Sequence, residues 1–256
     1  MSIPRVLHYV WVGGAEKSPL MRECMATWQT HCPDYKVIEW NEKNFDMNRS
    51  PVLKNALETR NWALVSDIMR AYILYENGGI YLDTDIEIYK PLDELLDNKF
   101  FMGYETRHWV NTPIIGSVKG HAVLEPLIRL YNSPLGLELT NFMCVHIYSA
   151  MFLKMYGIRP NGKMTRTDEV TLYPRDYFFP QHYLTHKYKI TKNSIVNHKC
   201  SCTWHDPKLR KKYRFVQIVY PIFGRHIFSF FEGITARNIR KNIYKLYKRL
   251  DKTENA

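Results

Sequence analysis

Asp83-Thr84-Asp85 interrupts an apolar run, with Ile80-Tyr81-Leu82 before it and Ile86, Ile88 and Tyr89 after it. β-branched and aromatic residues at this density predict a strand. Alternate residues of a strand share a face, so in a regular strand both carboxylates would point together. Two carboxylates this close cannot both ionise cheaply unless a cation sits with them. A divalent ion, Mg²⁺ or Mn²⁺, is the natural candidate, because it takes one or two protein carboxylates plus substrate phosphate oxygens. An isolated Asp-x-Asp also fits a solvated turn, so the surroundings decide. Upstream, Asp67 and Arg70 stand at i and i+3 of a predicted helix and present an acceptor and a cation on one face. A structural ion pair would use the same spacing.

The elements that must place these residues follow from pattern. The helix carrying Asp67 and Arg70 begins near Asn61, has apolar residues round most of its surface, and is stopped by Asn77-Gly78-Gly79. Ile3 to Gly14 predicts a first strand ending in glycines, Met21–Thr30 an amphipathic helix, and Tyr35–Trp40 a second strand. This β-α-β opening implies a parallel pair, whose ligands bind beyond the carboxyl ends of the strands. Trp11 stands at such an end, where it could stack on a nucleobase or fill the core. Pro51–Arg60 predicts a helix, Lys90–Leu96 a turn and short helix, Phe100–Glu105 a buried strand, and Ala122–Tyr131 a helix. Asn132 to Met164 is expected to build an acceptor side.

The combined pattern Ser66-Asp67-x-x-Arg70 and Gly78-Gly79-Ile80-Tyr81-Leu82-Asp83-Thr84-Asp85 resembles glycosyltransferase family 32. These are Asp-x-Asp transferases of bacterial capsular and surface polysaccharide synthesis, related to the glucosylating toxins. Similar to the family are also His8-Tyr9-Val10-Trp11-x-Gly13-Gly14, the stretch from Trp40 to Asp46, Asn111 to Ser117 with the turn at Gly120-His121, and Tyr173 to Pro180. The closing motif stands here as Asn197-His198-Lys199-Cys200-Ser201-Cys202-Thr203-Trp204, with Lys199 and Thr203 replacing the second His and the Ser of many members.

The resemblance implies an α/β, GT-A-like single domain with a mostly parallel, Rossmann-like sheet flanked by helices. It implies metal-dependent, configuration-retaining transfer from a nucleotide-diphosphate sugar to a saccharide acceptor. Asp83, Asp85, Arg70 and Asp67 would be the catalytic set, and Asp85, Asp83 and His198 the ligands of Mn²⁺ or Mg²⁺. Trp11, Val10, Ser66, Asp67, Arg70, Asp83, Thr84, Asn111 and Trp204 would line the donor site. Trp11 would stack on uracil, favouring a UDP-sugar, with GDP-mannose open. Two competing readings are a toxin-like protein glycosyltransferase and a non-enzymatic basic adaptor for membrane or nucleic acid.

Forty-five per cent hydrophobic and 24% charged residues in 256 are globular values. No run reaches the ~18 apolar residues of a membrane span, and the N-terminus does not read as a signal peptide. The five cysteines are therefore expected to be reduced, in the cytoplasm. Cys200-x-Cys202 with His198 and His205 falls short of a zinc motif, because the two-residue gap and a second Cys pair are missing. Of the net charge of +11, residues Pro207–Ala256 carry +10, from thirteen Lys or Arg against three acids. Residues 1–206 are therefore expected to form the transferase domain and 207–256 a basic, amphipathic helical region. That region suits an anionic membrane surface, where a lipid-linked acceptor would lie, or packs on the domain. Charge alone would also fit nucleic acid, but the aromatics are too apolar and no repeat module is present, so no nucleic-acid partner is expected.

Overall fold

The computed structural model describes residues 2–141, 144–182, 187–200 and 232–253. Trp204 and the whole of the stretch 201–231, which includes the first half of the basic region, lie outside the described residues.

Three helices near the N-terminus start by one device. Ser18, Ser50 and Asn61 accept hydrogen bonds from the backbone N–H three residues on, opening α1 (Pro19–His31), α2 (Pro51–Glu58) and α3 (Trp62–Asn77). A side-chain oxygen thus satisfies one of the orphan donors at each helix start. Pro19 and Pro51 occupy first positions, where the missing N–H costs nothing. α3 stops at Gly78 (φ 66°) and Gly79 (φ 103°). A Cβ on Gly79 would lie 2.7 Å from His8 Nε2, so glycine here permits both the turn and the close approach.

The strands are β1 (Val6–Val10), β2 (Lys36–Trp40), β3 (Gly79–Leu82), β4 (Ile86–Ile88), β5 (Phe100–Tyr104), β6 (Val110–Ser117), β7 (Thr165–Arg166), β8 (Thr171–Tyr173) and β9 (Val196–His198). Seven form one sheet in the order β2-β1-β3-β6-β5-β8-β7, and β4 and β9 form a separate antiparallel pair. β1 is parallel to β2 and β3, and β5 is parallel to β8. β6 and β7 run against their neighbours, so five of the seven strands point one way. The α/β architecture with a sheet of mainly one direction is as expected from the sequence.

Helices cover both faces. α2, α3, α4 (Glu125–Asn132) and α5 (Cys144–Tyr156) pack on one, and α1 and α6 (Arg175–Phe178) on the other. Alternation along β3 follows from this: Tyr81 belongs to the α3-side core, Ile80 and Leu82 to the α1-side core. A final helix, α7 (232–253), places Ile243, Leu246, Tyr247 and Leu250 in the α3-side core. Its apolar stripe is thus covered by protein, while Arg237, Lys241, Lys245, Lys248 and Arg249 are exposed.

One expectation needs correction. The apolar run around Asp83 and Asp85 is not one regular strand: β3 ends at Leu82, residues 83–85 turn, and β4 joins a different sheet. The Ile86 N–H donates to the Asp83 carbonyl at 3.1 Å, closing that turn. Strand alternation therefore does not explain how the carboxylates meet; the turn and a distant strand do.

Candidate active site

α3 crosses the sheet so that Arg70 meets Tyr81, and the two sheets part at the Asp-x-Asp turn. Arg70 is 3% exposed. Its guanidinium donates to the Thr112 carbonyl at 2.7 Å and to the Ser66 carbonyl and hydroxyl at 3.2 and 3.0 Å. It also pairs with Asp67 at 3.0 Å and Asp83 at 3.3 Å. Its carbon centre lies 4.4 Å from the Tyr81 ring centroid, and the Tyr81 hydroxyl donates to Asp83 at 2.9 Å. A planar fork with five donors suits this enclosure. Burial raises the Asp67 pKa to about 6, with the Asp83 charge adding and Arg70 opposing.

Asp85 is held from the other side. The Lys199 N–H donates to the Asp85 carbonyl at 3.0 Å, and the His198 Nε2 lies 3.3 Å from an Asp85 carboxylate oxygen. Burial disfavours the charged imidazole, but the Asp85 carboxylate outweighs it and raises the His198 pKa. One ligand atom each from Asp83, Asp85 and His198 falls within 4.8 Å of the others. Two carboxylates and an imidazole are a fitting donor set for a divalent cation, and their sign is right for one that also meets diphosphate. Thus residues separated by more than a hundred positions come together.

The remaining candidates divide. Ser66 and Asp67 surround Arg70, and Thr84 is buried at the centre of the turn. Val10 is buried in the α3-side core, so it can offer a ligand only its backbone. Asn111 donates to Glu105 at 2.8 Å, and its amide oxygen accepts from the Thr112 N–H. Trp11 follows β1 and is half-buried; its indole N–H donates to the Ala15 carbonyl at 2.7 Å, and the Lys17 ammonium lies 5.2 Å from the ring. Trp204 falls outside the described residues.

Sequence reasoning missed Tyr81, Thr112, Glu105 and Trp62 as parts of this neighbourhood. Trp62, 38% exposed, packs its ring where a Cβ on Gly13 would come within 3.2 Å. It opens α3 on the face of Ser66 and Arg70, and that i, i+4, i+8 spacing was the available signal. Glu105, a carboxyl following a fully buried strand, was another.

Residues 18–102 match the family model described as "Glycosyltransferase sugar-binding region containing DXD motif". Among curated proteins, the chain is 26% identical to "Inositol phosphoceramide mannosyltransferase 3" of Schizosaccharomyces pombe, over 50% of this chain and 37% of that protein. It is 28% identical to "Subversion of eukaryotic traffic protein A" of Legionella pneumophila, over 37% of this chain and 20% of that protein. The chain thus spans well under half the length of these relatives. Among solved structures, the "PaToxG Glycosyltransferase" superposes with a TM-score of 0.49 at 13% identity, over 61% of this chain and 70% of that one. The matched region, a third of the chain, contains Asp83-Thr84-Asp85, the Asp-x-Asp to which that description refers, and the chain is similar to these glycosyltransferases there.

Proposed function

We propose that this protein is a metal-dependent, retaining glycosyltransferase that moves a sugar from a nucleotide-diphosphate donor to a saccharide acceptor. The observation that carries the reading is the convergence of Asp83, Asp85 and His198 beside the Arg70 cage. Asp85, Asp83 and His198 would hold Mn²⁺ or Mg²⁺, which supplies electrostatic stabilisation to a departing diphosphate. Asp67, Arg70 and Asp83 form a rigid polar wall able to receive sugar hydroxyls. Arg70, already engaged on every side, acts by holding Asp67 and Asp83 in place. Trp11, with Trp62 nearby, offers a flat apolar surface to a base; UDP is favoured on this ground. The mannosyltransferase relative makes mannose, carried on GDP, the alternative.

The carboxylates around the turn are engaged: Asp67 and Asp83 by Arg70, Asp85 by His198, and Glu105 by Asn111. This supports attack by the acceptor hydroxyl on the face the diphosphate leaves. The new glycosidic bond forms as the sugar–phosphate bond breaks, and a phosphate oxygen takes the hydroxyl proton. An inverted product by NMR would overturn that step.

A relative named for action on a phosphoceramide favours an acceptor carried on lipid, as in surface polysaccharide assembly. No described helix is long and apolar enough to cross a membrane. The basic face of α7 would then attract the protein to the anionic inner face of the membrane from the cytoplasm, by charge rather than insertion. Cosedimentation with anionic vesicles, reduced by salt and by Lys241→Glu with Lys245→Glu, is expected; equal binding to neutral vesicles would reject it.

The deciding experiment is nucleotide release from a panel of UDP- and GDP-sugars with Mn²⁺, against a chelator. Metal-dependent release from one donor names the sugar. If no nucleotide binds with or without metal, the transferase reading fails and a basic adaptor returns; transfer to a protein would favour the toxin-like reading.

A further inference from the structure

His198 belongs to two groups of metal-ligating side chains. One is Asp83, Asp85 and His198; the other is Glu105, His198 and Cys200, again with ligand atoms within 4.8 Å of one another. The donor reading makes no use of the second group. Glu105 follows β5, His198 closes β9, and Cys200 sits at φ 50°, a left-handed conformation uncommon outside glycine. The Cys200 sulfur lies 3.3 Å from His198 Nδ1, while Nε2 faces Asp85 at 3.3 Å. Glu105 is oriented by the Asn111 amide at 2.8 Å. A thiol, an imidazole and one carboxylate are the donors of a zinc-type site, whereas the oxygen-rich Asp pair suits Mg²⁺ or Mn²⁺.

We propose that Glu105, His198 and Cys200 form a site for a thiophilic divalent cation such as Zn²⁺, whose occupancy excludes an ion from the Asp83–Asp85–His198 site. The exclusion follows from the ring: a neutral imidazole has one lone pair. With Nε2 bound to an ion beside the Asp pair, Nδ1 carries the proton and turns it towards Cys200. With Nδ1 bound to an ion beside Cys200, Nε2 carries the proton and donates it to Asp85. Binding releases the Cys200 thiol proton to solvent together with the Nδ1 proton of a charged His198 ring, and thiolate plus carboxylate balance the two charges of the ion. Zn²⁺ therefore inhibits a Mn²⁺-dependent reaction by taking His198, and Cys200 selects the inhibiting ion. The exclusion rests on the metal reading of the Asp pair; the thiolate site does not.

The test uses the full chain, stripped with chelator and titrated with Cd²⁺ while the thiolate-to-cadmium absorption band is followed. Mn²⁺ binding is measured in parallel by electron paramagnetic resonance. The expected result is a saturable band that Cys200→Ser abolishes and Cys202→Ser preserves, with Glu105→Gln weakening Cd²⁺ by roughly tenfold or more. Cys200→Ser keeps its Mn²⁺ affinity, and Cd²⁺ displaces Mn²⁺ from the wild type. A band that survives Cys200→Ser overturns the site. Cd²⁺ and Mn²⁺ bound together overturn the exclusion. A Cd²⁺ band of the expected pattern with no Mn²⁺ binding by any form supports the thiolate site and removes the Asp-pair metal instead.

Discussion

Asp83 and Asp85 are two positions apart, yet different parts of the molecule hold them. Asp83 is fixed by its own neighbourhood in the chain: Tyr81 two residues before it and Arg70 on the helix leading into β3. Asp85 depends on β9, where His198, Asn197 and Val196 pair with Ile86, Glu87 and Ile88 of β4. The first carboxylate sits against a buried cage. The second is placed by closure of a two-stranded sheet whose halves lie more than a hundred residues apart. Orienting a local cage and recruiting a distant ligand are separate tasks, and substitutions should be able to separate them.

The largest effect is expected at Asp85. Asp85→Asn leaves the Arg70 cage intact but removes a charge from the cation set, where several kcal/mol of transition-state stabilisation correspond to about 10³-fold in rate. Steady-state donor hydrolysis reads this, and near-normal turnover would break the assignment. Arg70→Met attacks the other side by leaving Asp67 and Asp83 without their cation. Such a removal costs about 3–5 kcal/mol in urea unfolding, and adding Asp67→Asn should recover part of it.

His8 offers a pH test of the cage side, since its ring holds the α3–β3 junction. Nε2 lies 2.9 Å from the Gly78 carbonyl, and Nδ1 accepts from Trp40. Burial, partly offset by the Gly78 carbonyl, lowers its pKa from 6.5 to about 4. Between those values the unfolded chain binds a proton that the folded one refuses. Stability is therefore fully present above pH 6.5 and is lost as pH falls towards 4, by about 3 kcal/mol. His8→Asn should flatten part of the slope and leave the share of His146, also lowered to about 4 by burial. Because Asp67, raised to about 6, contributes with the opposite sign in this window, the difference between wild type and variant is the readout, and a pH profile that His8→Asn leaves unchanged would contradict the buried, neutral ring.

Val196→Ala is expected to have the smallest effect. It removes two methyl groups from a fully buried position of β9, for about 2 kcal/mol. If the comparison holds, this change weakens Mn²⁺ binding while near-ultraviolet signals of the Tyr81–Arg70 cage stay unchanged. Equal disturbance of both would show that the two sides are one unit.

Much of the Asp83 side was legible in the sequence because its partners are local. Helix spacing joined Asp67 and Arg70, motif likeness added Ser66, and Gly78-Gly79 marked the turn that returns the chain to the sheet. The Asp85 side was legible only through motif likeness: spacing tied His198 to Trp204, and nothing local tied it to Asp85. The apolar run read as one strand because period-two patterning reports burial and not which sheet is joined. Ile80 and Ile86 are equally buried, yet they pair with different partners.

The basic C-terminal stretch shows the same limit. Its helix was evident from the spacing of Ile239, Ile243, Leu246 and Leu250, but what covered that stripe was not. Folding places three of these residues in the main core and leaves Arg237, Lys241, Lys245, Lys248 and Arg249 exposed, while Arg240 is half-buried over Trp109. By itself, the sequence determined the helices with their caps, the alternation that puts Tyr81 opposite Ile80 and Leu82, and the charged groups available for chemistry. These follow from local backbone preferences and periodicity. Only the tertiary structure decided that the Asp pair lies on a turn between two sheets, that His198 presents a different nitrogen to Asp85 and to Cys200, and that Glu105 joins them. Those contacts depend on long-range closure, which no local pattern encodes.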